Sequence, residues 1–300
     1  MYDHDSKGIS YTAGFFMLIA FAVAAMLLSV PVVQVIWTQM TGKTVTILTN
    51  GTYGPEDGTA LKVIQAISAI IGFLLPTVIT AIVLNRRPGK LLGFSTRFSM
   101  SQVGLVFLII GSAIVVAGGL AYFNNHIPVP AKWKIDFEKL EAEYNRQAAA
   151  IISLKNTGEY VLALIVMGFI PAFCEETLFR GGLQNFLTRG TNNPLLAIVV
   201  ASVIFSLAHL SFYLFLSRFF LGAVLGLIYY YSGRLWLSIL AHFLNNAAAV
   251  TLFYIQMKGG KSLSEIMNQG TESFWGLAAL PVVIILFMAF KKNSVKSRAA

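Results

Sequence analysis

The sequence predicts an all-α fold, a polytopic bundle of about eight transmembrane helices around a polar active-site cavity within the membrane. Three observations predict it. Of 300 residues, 56% are hydrophobic and only 12% charged, whereas ordinary soluble domains carry roughly 25% charged residues. So little charge cannot cover a soluble globule of this size. The mean hydropathy of +0.72 comes from apolar runs that recur along the whole chain, most of them near the ~20 residues a spanning helix needs. These runs are continuous rather than alternating, which excludes a transmembrane β-barrel.

The first candidate span is Tyr11–Trp37. The polar MYDHDSKGIS before it, the length of the run, Pro31 within it and the lack of a convincing cleavage site read as a retained helix, not a cleaved signal. The others are Leu61–Leu84, Ser101–Phe123, Glu159–Phe186, Pro194–His209, Phe212–Ser232, Leu235–Gln256 and Phe274–Phe290. Thr38–Ala60 is a Gly- and Thr-rich connection. Asn124–Gly158 contains Ile135–Ala150, where IDFEKLEAEYNRQ mixes acids, bases and apolar residues at helical spacing. That pattern predicts an interfacial or capping helix. With no internal repeat, residues 1–300 read as a single integral membrane domain, with the motif-bearing core helices at 159–256.

The net charge of +9 does not point to nucleic acid, because the Lys and Arg sit mainly in short loops and at the C-terminus. There they orient the chain and meet anionic membrane lipid. Arg86, Arg87, Lys90 and Arg97 share one loop with no acid, and Lys291, Lys292, Lys296 and Arg298 follow the last span. An even number of spans puts both groups on one side, cytoplasmic by the positive-inside rule, with both termini. Compact loops fit a bacterial inner (cell) membrane. The single cysteine, Cys174, forbids an internal disulfide or a CxxC metal site.

The informative residues are the polar ones inside these runs, since each ionisable group at a span's centre costs about 2.5–3.5 kcal/mol on the insertion scale. PAFCEETLFR places Glu175 beside Glu176, with Arg180 four residues after Glu176 on the same helical face. Arg180 can hold Glu176 ionised. Glu175 points about 100° away without such a partner, and is the candidate general base. FSLAH puts Phe205 four residues before His209, and HFLNN puts His242 four before Asn246. Singly, each histidine reads as an interhelical hydrogen-bond partner. Together with two glutamates they form a set suited to activating water and donating to a tetrahedral oxyanion. Two His and a Glu are equally a plausible zinc set. HExxH, GxSxG and an intramembrane Asp are all absent. Ser206 and Cys174 are weaker nucleophile candidates, read first as packing residues.

Glu175-Glu176-x-x-x-Arg180, Phe205-x-x-x-His209 and His242-x-x-x-Asn246, in this order on three helices, resemble the signature of the CPBP (Abi) family. Its members are intramembrane proteases related to the endopeptidase that trims prenylated CAAX proteins. The resemblance implies Glu175 as general base acting with His209 on the hydrolytic water. It further implies His242 and Asn246 as the oxyanion site, with Glu176, Arg180 and Phe205 supporting. It implies a hydrophobic or lipidated peptide or protein substrate, and either no required cofactor or a zinc on Glu175, His209 and His242. The absence of a third metal-grade histidine leaves Asn246 as a weak fourth ligand, which favours water activation without an obligatory metal.

Counted along straight helices, Glu175 and His209 would differ in depth by roughly 10–20 Å, so the fourth span is expected to break near Pro171 or Gly181–Gly182. Two rival readings use the same residues: a transporter or proton pathway, and a non-catalytic membrane scaffold or immunity protein. Neither a repeat between halves nor matched broken helices supports the transporter.

Overall fold

A computed structural model describes residues 4–152, 154, 156–268 and 273–299. In chain order its principal helices are α1 (Tyr11–Thr41), α2 (Gly58–Leu84), α3 (Met100–Asn125), α4 (Ala131–Ile151), α5 (Thr157–Thr191), α6 (Pro194–Ala208), α7 (Phe215–Ser232), α8 (Leu235–Lys258) and α9 (Phe274–Ser294). Seven of these are long and apolar enough to cross a membrane; α6 is a shorter apolar helix and α4 is the amphipathic one. The chain is an all-helical polytopic bundle. Lipid offers no partner to a bare backbone, so apolar runs must satisfy their own N–H and C=O groups, and they do so as helices.

The ends follow local chemistry. Ser10 caps α1, accepting from the Ala13 N–H, and Ser99 forms a reciprocal capping box with Gln102 on α3. Pro194 opens α6 behind the Asn193 cap. One end of the bundle is basic. There Arg87 and Lys90 pair with Asp5, and Arg234 donates from Nε to the Arg97 carbonyl.

Two helices widen into π-turns just before a proline: Ile70–Leu74 ahead of Pro76 in α2, and Leu164–Phe169 ahead of Pro171 in α5. Proline has no N–H and crowds the preceding turn, which a wider turn accommodates without ending the helix. A third π stretch, Thr177–Gln184, runs through the middle of α5. The expected break is therefore absent, and Gly181–Gly182 serve packing instead. A Cβ on Gly182 would stand 2.4 Å from Leu18 Cδ2 of α1.

The depth problem is solved by α6. Its 15 residues rise about 22 Å, short of the ~30 Å hydrocarbon core. His209, its C-cap, thus ends a helix that stops within the bundle. Measured from the basic end, Glu175 lies about 24 Å along α5 from Thr191, and His209 about 22 Å along α6 from Pro194. By helix rise alone the two fall at similar distances from that end.

Registers are fixed by polar contacts at small residues. Arg180 donates to the Gly222 carbonyl and Gln184 to the Gly226 carbonyl, both at 2.9 Å. Gly222 and Gly226 form a small-xxx-small pair on α7 that lets α6 approach at Ser202 and Ile198. The turn from α6 to α7 is held from outside it. Asn124 Nδ2 donates to the Phe212 carbonyl (2.7 Å), and its Oδ1 accepts from the Leu216 N–H (3.0 Å).

Candidate active site

Glu176 is fully buried and accepts from three donors on two helices, its own α5 and α8. Arg180 Nη1 donates to Oε1 at 2.8 Å, His242 Nδ1 donates to the same oxygen at 2.9 Å, and Ser238 Oγ donates to Oε2 at 2.5 Å. Both oxygens of this carboxylate are occupied by hydrogen-bond donors. Arg180 is itself buried, stacked over the Phe205 ring at 5.0 Å and near Phe179 at 5.8 Å. The pair predicted from i,i+4 spacing is present, and it is a buried ion pair that ties α5 to α7 and α8.

Glu175 has the opposite environment. Its side chain is 16% exposed, and its buried Oε2 has no hydrogen-bond partner among the described residues. His242 Nε2 lies 3.9 Å from that oxygen, too far for a direct hydrogen bond. One imidazole therefore stands between the two glutamates, fastened to Glu176 through Nδ1 and turned toward Glu175 with Nε2.

His209 donates from Nδ1 to the Phe205 carbonyl at 2.7 Å. Since a carbonyl can only accept, a neutral ring carries its proton on Nδ1 and leaves the Nε2 lone pair available. The Phe205 ring lies 4.7 Å from the His209 ring and 5.8 Å from that of His242, filling the angle between them. No direct bond joins His209 to Glu175 among the described residues. Asn246, one turn beyond His242 on α8, donates from Nδ2 to the Gly168 carbonyl at 3.5 Å and accepts from Asn245 Nδ2 at 3.3 Å. It is half-buried beside the first π-turn of α5 rather than bonded to His242.

Ser238 escaped the sequence reading although it stands four residues before His242, so Ser238, His242 and Asn246 form one i,i+4 stripe. A lone serine in an apolar run carries no signal by itself. Ser206 does not bond within its own helix; it donates to the Phe215 carbonyl at the start of α7, at 2.7 Å. Cys174 is buried at 1% exposure. Among the described residues no three His, Cys, Asp or Glu side chains gather as metal ligands. As arranged, Glu175, His209 and His242 do not fit a metal ion.

Two glutamates and two histidines from three helices thus lie inside an apolar bundle. Residues 157–248 match the family described as Rce1-like, type II CAAX prenyl endopeptidase Rce1-like. That segment, about a third of the chain, is similar to the Rce1-like CAAX endopeptidase (CPBP/Abi) family, a family of proteases. Neither the curated proteins nor the solved structures contain a match.

Proposed function

We propose that the protein is an intramembrane endopeptidase that cleaves a membrane-associated or lipidated, CAAX-like peptide with a water activated by Glu175 and His209. The observation that carries this reading is the contrast between the two carboxylates: Glu176 saturated, Glu175 buried with an unpartnered oxygen facing His242. The water gives its proton to Glu175 while the His209 Nε2 lone pair helps orient it. The resulting hydroxide bonds to the scissile carbonyl carbon. The tetrahedral oxyanion accepts hydrogen bonds from a doubly protonated His242, balanced by Glu176, and from Asn246. Collapse breaks the C–N bond as Glu175 passes its proton to the leaving amine. Glu176, Arg180 and Phe205 hold the two histidines in place. No step needs a metal.

In this reading the enzyme resides in a bacterial inner membrane with both termini cytoplasmic, and its substrate reaches the cluster from lipid. The test is cleavage of a quenched, prenylated CAAX-type peptide beside a non-lipidated control by detergent-purified protein. Wild type, Glu175→Gln and His209→Ala are each assayed with and without a strong chelator. Cleavage of the lipidated peptide that disappears in both variants and survives chelation is expected. Cleavage that persists in Glu175→Gln would sink the mechanism, and cleavage abolished by the chelator and restored by zinc would replace it with a metal one.

A further inference from the structure

The helices that bear the site leave a second feature unexplained. α9 packs on α3 through Phe290 and Ser294, the last hydrogen-bonded to Gln102, and leans only lightly on α7. A cleft of about 360 Å³ opens between α7 and α9. Its walls are two matched stripes: Phe220, Val224, Leu227 and Tyr231 on α7, and Leu280, Ile284, Phe287 and Lys291 on α9. Both stripes advance by helical turns in the same direction, so Phe220 faces Leu280 at one end and Tyr231 faces Lys291 at the other. Each is about 16 Å long. Ala223 keeps the α7 wall low. The cleft lies on the side of α7 away from Gly222 and Gly226, and so is separate from the site on α5, α6 and α8.

The cleft is apolar along its length and cationic at one end. Lys291 Nζ sits 5.6 Å from the Tyr231 ring centroid, and among the described residues it has no carboxylate partner. No acid lines the cleft. That end is the basic end of the bundle, where Lys292, Arg97 and Arg234 also lie. A long apolar slot closed by an amine demands an anionic amphiphile, and a membrane offers one in abundance. Basic pockets between transmembrane helices recognise anionic headgroups in this way.

We propose that the cleft between α7 and α9 binds an anionic phospholipid, one acyl chain lying between the two stripes and the headgroup phosphate on Lys291. The site is independent of the peptidase reading and is tested without substrate. Protein in detergent is incubated with phosphatidylglycerol or phosphatidylcholine of equal chain length, and the retained lipid is counted by native mass spectrometry. Wild type is expected to keep phosphatidylglycerol over phosphatidylcholine by about fivefold, the discrimination one lysine near the headgroup supplies. Lys291→Arg should keep that preference and Lys291→Gln should abolish it. Ala223→Trp, which fills the slot, should lower retention of both lipids. Equal retention of the two lipids by wild type, an undiminished preference in Lys291→Gln, or unchanged retention in Ala223→Trp would each overturn the proposal. Lys291 is exposed, so the Gln variant tests the headgroup contact without burdening folding.

Discussion

Replacing Glu176 by Gln removes its charge and one of the two oxygens that accept from Arg180, His242 and Ser238, and leaves a buried guanidinium uncompensated. The expected loss is about 3–5 kcal/mol of stability, read as a lowered Tm in detergent. Replacing Glu175 by Gln removes no partner, because its buried oxygen has none. That variant should keep its Tm while turnover falls by about 10²–10⁴-fold, the usual worth of a general base. A Tm that falls equally in both would show that the two acids share one structural task. The pairing of Glu176 with Arg180 could be read in the sequence because i,i+4 contacts are local. The donor Ser238 and the acceptor Gly222 carbonyl could not, since they reach the pair across helices and are chemically ordinary where they stand.

Elements meet here through small contacts that a methyl group would upset. At the junction of α3 and α9, a Cβ on Gly276 would lie 2.3 Å from the Val115 carbonyl oxygen and 2.8 Å from the Gly119 nitrogen. Backbone cannot swing aside as a side chain can. Gly276→Ala should therefore destabilise by about 1–3 kcal/mol, checked by thermal melting in detergent. At the opposite end of the bundle Lys43 fastens the exit of α1 to the entry of α2, reaching Asp57 at 2.7 Å and Glu56 at 2.9 Å. Burial alone would push the Asp57 carboxyl up, but the bonds from Lys43 and the Gly54 N–H outweigh it and hold it below the usual carboxylate range. A lowered carboxyl stabilises the fold at neutral pH and loses that effect as pH falls through its native value. The Tm gap between wild type and Lys43→Met should be widest at pH 7 and narrow below about pH 4. An unchanging gap would assign the effect to packing by the lysine stem. Helix kind was legible because hydropathy is a sum over many residues, but of the eight spans expected the fifth, α6, is too short to count among the seven that can cross. How far α6 runs relative to α5 is a relation between distant segments and has no local signature.

At the scale of the molecule, the basic loops imply an orientation that labelling can check. Cys174 is buried, so the wild type provides a quiet background for a membrane-impermeant maleimide on sealed vesicles. Thr96→Cys and Lys292→Cys, both at exposed positions, should label from the cytoplasmic face, and Thr52→Cys from the other face only. Labelling of Thr96→Cys and Lys292→Cys from opposite faces would require an odd number of crossings between them and overturn the topology.

A helix pair that stops short also acts on its surroundings. α6 rises about 22 Å and α7 about 27 Å, against ~30 Å of hydrocarbon, and such a mismatch is relieved by thinning the bilayer at modest cost per ångström. The lipid beside the α6–α7 turn is then under compression, and the turn resists it least in short-chain lipid. Reconstituted into vesicles of graded acyl length, the protein should turn over its peptide faster in thinner bilayers. On the reading proposed above, host-membrane thickness then sets the rate, because His209 ends the shortest of the apolar helices.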